Sequence, residues 1–232
     1  MKTTLFLKIY IGFSIVYLLL LLLGYENFDL FLKPILIPLL GFSVYLHKKF
    51  PAKNIVLSAL LFSWIGDVIL LFADIDEIYF ILGLVAFLIS HVIYTVLFNK
   101  QTKTRSKKNK AAFLIGSLVI AGYLIGMLSL LLPTLGDLKI PVIVYATVIS
   151  LMLLFAFNGF LTWKRPGNQY VFSGAVVFVA SDSILAVNKF YIPIEKSSFF
   201  IMLTYLVAQY LIVTGILKLN SNGNVKAANL KI

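Results

Sequence analysis

The sequence predicts an all-α polytopic membrane bundle of eight spanning helices with both termini in the cytoplasm. Composition, eight apolar segments of spanning length, and charge alternation between connectors carry that prediction. Of 232 residues, 61% are hydrophobic and 12% charged, against about 25% charged in a soluble domain. Mean hydropathy is +1.00, so water is not the main solvent for this surface. No cysteine is present, which excludes disulfides, thiol nucleophiles and thiolate-bound metals. His47 and His91 are the only histidines, too few for a histidine-rich metal cage.

About 20 apolar residues cross a bilayer as a helix. The first segment is Leu5–Gly24, with an unbroken leucine run at 18–23. No small-residue cleavage site follows it and further apolar segments do, so a retained helix is expected rather than a signal peptide. Leu30–Leu46 follows, carrying Lys33-Pro34 at its start, then Ile55–Ala73 and Tyr79–Phe98. Ala111–Leu132, Ile140–Trp163, Tyr170–Asn188 and Ser198–Leu217 complete the set. The longest connector is about a dozen residues, so residues 1–232 read as one integral-membrane domain.

Charge orients these segments. The N-terminus, His47–Asn54, Asn99–Lys110, the Lys164-Arg165 turn and the C-terminal tail hold 16 of the 20 Lys and Arg and no acid. The alternate connectors hold Glu26, Asp29, Asp74, Asp76, Glu77, Asp137 and Glu195, with Lys33, Lys139, Lys189 and Lys196. The positive-inside rule therefore places both ends in the cytoplasm of a bacterial-type inner membrane. The net charge of +11 is then a topology signal beside anionic lipid, not a nucleic-acid footprint.

Two acids remain, Asp67 and Asp182, inside apolar spans. A carboxylate at mid-bilayer costs about 2.5–3.5 kcal/mol on insertion scales, so such residues face the bundle interior and mark function. Each lies 12 residues into its segment, about 18 Å from the inner edge. Helices three and seven run in the same direction, so the two carboxyls share a depth and can meet across one cavity. Phe87-Leu-Ile-Ser-His91 in helix four echoes Tyr205-Leu-Val-Ala-Gln209 in helix eight. That echo suggests parallel repeats, helices one to four and five to eight. His91 shares a helical face with Tyr94, and Tyr205 shares one with Gln209. The bland readings are structural acids bonded to serine and backbone, an interhelical hydrogen-bonding role for His91, Gln209 and Asn158, and a headgroup anchor in Lys33.

These residues resemble the YhhN family of lysoplasmalogenase-type membrane proteins. The resemblance rests on Lys33-Pro34, Gly66-Asp67, Phe87-x-x-x-His91-x-x-Tyr94, Met152 with Ala156, and Tyr205-x-x-x-Gln209. It rests also on Gly174-Ala-x-x-Phe178-x-x-Ser181-Asp182-x-x-Leu185-Ala186. It implies hydrolysis of the vinyl-ether bond of a lysophospholipid substrate, with Asp67 and Asp182 as the functional acids. Protonation of the alkenyl carbon would give an oxocarbenium ion, and water would add to it. Two carboxyls in one low-dielectric site repel as a pair of anions, so one holds a proton and the other serves as base. Lys33, His91, Tyr94, Ser181, Tyr205 and Gln209 are the expected substrate-binding groups, Lys33 toward phosphate. No metal or cofactor is required by that chemistry.

Three rivals use the same acids. A proton-coupled transporter or lipid flippase would move its substrate unchanged. An intramembrane aspartyl protease would cut peptides, but Trp64-Ile-Gly-Asp67 lacks the second glycine of the usual Gly-x-Gly-Asp. A structural or lipid-sensing protein would tolerate replacement of both acids.

Overall fold

A computed structural model describes residues 2–101 and 109–221. The expected cytoplasmic charges Lys103, Arg105, Lys107, Lys108, Lys226 and Lys231 lie outside the described residues. Among those described, regular structure is entirely helical. The long helices are α1 (Lys2–Leu22), α2 (Asp29–Tyr45), α3 (Lys53–Leu70), α4 (Glu77–Gln101), α5 (Lys110–Leu131), α6 (Lys139–Thr162), α7 (Gly167–Phe190) and α8 (Ser197–Ser221). All eight are long and apolar enough to cross a membrane. The chain is an integral multi-pass membrane protein.

Most helix ends lie close to the apolar segments. The largest consequence is at α3, which stops at Leu70 rather than Ala73. Residues 71–75 form turns, and Asp74 and Asp76 follow the apolar run there. Asp67 is consequently three residues from the end of its helix, whereas Asp182 is eight from the end of α7. Counted from the other end, Asp67 lies 14 residues after Lys53 and Asp182 lies 15 after Gly167.

Side-chain size sets the packing. α7 and α8 pair through small residues. A Cβ built on Gly174 would meet the Ile212 backbone nitrogen at 2.9 Å and the Ala208 carbonyl at 3.0 Å. A Cβ on Gly215 would meet the Val171 nitrogen at 2.8 Å. Backbone approaches backbone here, as small residues permit in lipid, where hydrophobic burial does not drive association. α3 and α4 pair similarly, with Gly66 under the Phe87 ring and Gly83 under Leu70. α8 is the most enclosed helix, with eleven buried residues from Met202 to Leu217. α5 lies at the periphery with Leu131 as its one buried residue.

α2 contains Pro34 and Pro38, one helical turn apart. Pro38 has no N–H, so the Pro34 carbonyl loses its i+4 helical donor. Trp64 Nε1 of α3 donates to that carbonyl at 2.8 Å. A freed backbone carbonyl at membrane depth needs such a partner. Trp64→Phe is expected to destabilise the protein by about 1–3 kcal/mol, read as a lower thermal midpoint in detergent. Adding Pro38→Ala, which returns the helical donor, should recover part of that loss.

Candidate active site

Asp67 and Asp182 line one cavity of about 360 Å³. Its wall also includes Glu26, Asp29, Asp74, Lys189 and Ser197. Most of these lie near the connectors between α1 and α2, α3 and α4, and α7 and α8, so the mouth is at the acidic end of the bundle. Lys33 turns inward to line the same cavity. The two acids are thus brought to a common space by helices 115 residues apart in sequence.

Each acid meets a helix from the other half of the chain, and Asp182 meets one from its own half as well. Tyr205 of α8 donates its hydroxyl to Asp67 Oδ2 at 2.7 Å. Tyr145 of α6 donates to Asp182 Oδ2 at 2.6 Å, and His91 Nε2 of α4 lies 3.1 Å from the same oxygen. His91 Nε2 is also 3.0 Å from the Tyr145 hydroxyl. His91 Nδ1 is buried and among the described residues has no hydrogen-bond partner. The tautomer with hydrogen on Nε2 leaves no donor unmet at Nδ1 and supplies one toward Asp182. The Phe178 ring stands edge-on to both His91 and Tyr205, at 4.8 and 5.5 Å. Phe87 packs edge-on against Tyr205 at 5.7 Å. These aromatic walls fix the rings that carry the donors.

The expected substrate-binding residues divide into two groups. Lys33, Ser181 and Tyr205 line the cavity. Ser181 is also tied down, donating to the Ile201 carbonyl at 2.9 Å. His91, Tyr94 and Gln209 are fully buried and do not line it. Tyr94 donates to Gln209 Oε1 at 2.7 Å. Gln209 Nε2 donates to Ser63 Oγ at 3.0 Å, with the Tyr205 hydroxyl at 3.4 Å. Ser63 pairs with Ser90 at 2.8 Å. These groups form a connected polar layer behind Tyr205, in which each amide and hydroxyl is used by a neighbour. Their polar atoms are spent on one another and on the cavity-wall residues, which places His91, Tyr94 and Gln209 behind the wall. Met152 and Ala156 are fully buried packing residues of α6.

Tyr145 was not legible as a site residue. It is one of twelve tyrosines, a residue type that ordinarily marks the membrane interface. Its position six residues into α6, about 9 Å past the helix start, is the one signal that set it apart. Lys189 was read only as a connector base, yet it lines the mouth and sits 4.8 Å from the Phe80 ring.

The cavity does not end at Asp182. A narrow apolar slot between α4, α5, α6 and α7 shares Phe80, Tyr145, Asp182 and Leu185 with it. Asp182 therefore stands at a junction between a charged compartment and a hydrocarbon-lined one.

A model of the YhhN family matches residues 28–216, a range that includes Asp67, Asp182, Lys33, His91, Tyr94, Tyr145, Ser181, Tyr205 and Gln209. The protein named "Lysoplasmalogenase TMEM86A" from Homo sapiens is 33% identical over 167 residues, 70% of this chain and 65% of that protein. Its Bos taurus counterpart is 30% identical over 175 residues, with the same shares. A protein named "Lysoplasmalogenase" from Mycobacterium tuberculosis is 30% identical over 139 residues, 59% of this chain and 50% of that protein. The match thus spans just under two thirds of the mammalian relatives and half of the mycobacterial one. No solved structure matches the chain.

Proposed function

This chain belongs to the YhhN family, and on that premise we propose that it hydrolyses the vinyl-ether bond of lysoplasmalogens. The products are a fatty aldehyde and glycerophospho-ethanolamine or -choline. The observation that carries this reading is Asp182 at the junction of a charged cavity and an apolar slot, with Asp67 in the same cavity. A vinyl ether is itself the junction of a polar head and a hydrocarbon tail. The names of the mammalian and mycobacterial relatives support the same substrate class.

The two carboxyls divide the acid and base roles. Asp67 accepts from the Tyr205 hydroxyl in a cavity that Lys33 also lines. Asp182 is held by the Tyr145 hydroxyl and the imidazole N–H. One of them, protonated, delivers a proton to the alkenyl carbon beside the ether carbon, and the ether carbon becomes an oxocarbenium ion. The other, ionised, takes a proton from water as the water oxygen bonds to that carbon. The hemiacetal then collapses, its hydroxyl proton leaving as the glyceryl oxygen gains one. Glycosidases set paired carboxyls against a similar cation. Lys33 and Lys189 supply positive charge to the phosphate, and Glu26, Asp29 and Asp74 supply negative charge toward the amine of the head group. Tyr94, Gln209 and Ser63 act through Tyr205.

We further place the termini in the cytoplasm, from the basic connectors, and the cavity mouth on the opposite side. The pairing of each acid with a helix from the other half supports reading the chain as two related four-helix halves.

The test is aldehyde release from a lysoplasmalogen by the purified protein in detergent, alongside lipid movement in proteoliposomes. Aldehyde formation supports the hydrolase. Substrate movement without chemical change would instead favour a carrier. Tyr145→Phe is expected to slow aldehyde release about 10- to 100-fold, because one of the two hydrogen bonds that orient Asp182 is lost. The folded protein should keep its thermal midpoint within a few degrees.

A further inference from the structure

We propose that the substrate's single hydrocarbon chain lies in a groove between α5 and α7 that opens sideways to the bilayer. This rests on the hydrolase reading for the identity of the substrate, and on geometry for the place of its chain. The apolar slot that begins at Asp182 does not close. It shares Tyr123, Val179 and Ser183 with a second apolar space of about 590 Å³ between α5, α6 and α7. Tyr123 and Ser183 are hydrogen-bonded to each other where the two spaces meet. The far end is walled by Phe157 and Phe172, with Gly116 packed onto the Phe157 ring. The three spaces therefore adjoin in a row from the charged cavity, past Asp182, along one face of α7.

The dimensions and direction suit one alkyl chain. From Asp182 back to Phe172 is ten residues, about 15 Å of helix rise, or roughly twelve extended methylenes by bond geometry. The path leads away from the acidic end, past the midpoint of α7, to Phe172, five residues from the other end of that helix. A lysophospholipid bound this way keeps its head at one membrane face and directs its tail into the bilayer, as it does in that leaflet. Transfer from lipid to protein then needs no inversion of the molecule.

The wall nearest the lipid is the least enclosed part of the bundle. Val119 of α5 and Val176 of α7 line the groove and are 66% and 43% exposed. Because α5 buries only Leu131, few side chains must repack to let a chain pass between it and α7. A second apolar groove, between α2 and α3, includes Leu61 and Trp64 but no residue of the charged cavity. It lacks the continuity that identifies the α5–α7 occupant.

The experiment uses a lysophosphatidylcholine with a diazirine at mid-chain, which binds without being hydrolysed. It is photolysed with the full-length protein in detergent, and labelled residues are mapped by mass spectrometry. Labelling is expected on α5 and α7 around Val119 and Val176. Excess unlabelled lysophosphatidylcholine should reduce it at least fivefold. Val176→Trp and, separately, Val119→Trp should do the same, because each fills the groove from a lipid-exposed position. Leu61→Trp in the other groove should leave the labelling unchanged. Labelling concentrated on α2 and α3, or labelling that excess lipid does not displace, as for loosely associated annular lipid, would overturn the proposal. Displaceable α5–α7 labelling in a protein that releases no aldehyde would retire the hydrolase reading and leave the chain path standing.

Discussion

Asp67→Asn and Asp182→Asn are each expected to lower aldehyde release by about 10²–10⁴-fold, the range contributed by a positioned acid or base. The substitution is nearly isosteric. An amide oxygen still accepts from Tyr205 in one variant and from Tyr145 in the other, at the places where 2.7 and 2.6 Å bonds now exist. Folding should therefore survive, and the thermal midpoint in detergent should not fall. It could rise, because removing an ionisable group from hydrocarbon relieves the cost of its burial. Loss of turnover with intact folding separates a catalytic pair from a structural one. Undiminished turnover in both variants would sink the paired-acid mechanism. The double variant should be little slower than either single one if the two act as a unit.

Gly174→Leu is expected to have the largest effect on folding. Its Cβ alone would stand 2.8 Å from Ile212 Cγ1, 2.9 Å from the Ile212 nitrogen and 3.0 Å from the Ala208 carbonyl. Two of those three atoms are backbone and cannot rotate away, so α7 and α8 must separate. Overpacking of this kind costs about 1–3 kcal/mol and occasionally more. Here the displaced helix also carries Tyr205, so the hydrogen bond to Asp67 is strained at the same time. Gly12→Leu on α1 is the control, since nothing lies within 4 Å of its Cβ position. A large drop in thermal midpoint for the first and little change for the second is the expected pair of results. Equal melting would mean that the glycine contact is not what sets the α7–α8 distance.

The sequence made the solvent and the charges legible, because a bilayer punishes the wrong residue type so heavily. Eight spans stood out by length, and Asp67 and Asp182 stood out as acids where acids are expensive. The common cavity followed from their matched distance along two helices of the same direction. The partners of each acid did not follow. Tyr205 meets Asp67 across 138 residues and His91 meets Asp182 across 91, pairings fixed by how helices rotate and pack. No local pattern encodes that. Tyr145 was hidden for a related reason, since a tyrosine in an apolar helix looks the same whether it faces lipid or a carboxyl. Lys33 left two orientations open, and only packing decided between them. The groove beside α5 was illegible too, because apolar residues that line a path and those that face lipid share one composition.

The crossed pairing has a consequence for the order of events during synthesis. α3 enters the membrane with Asp67 while Tyr205 is still five helices away along the chain. His91 likewise waits for α6 and α7 before Tyr145 and Asp182 reach it. Neither carboxyl has its final donor until most of the chain has been made. A chain halted before α8 would hold a buried acid without its tyrosine, and should stay exposed to membrane quality-control proteases. Completion of the last helix is thus the moment at which the bundle becomes both durable and competent.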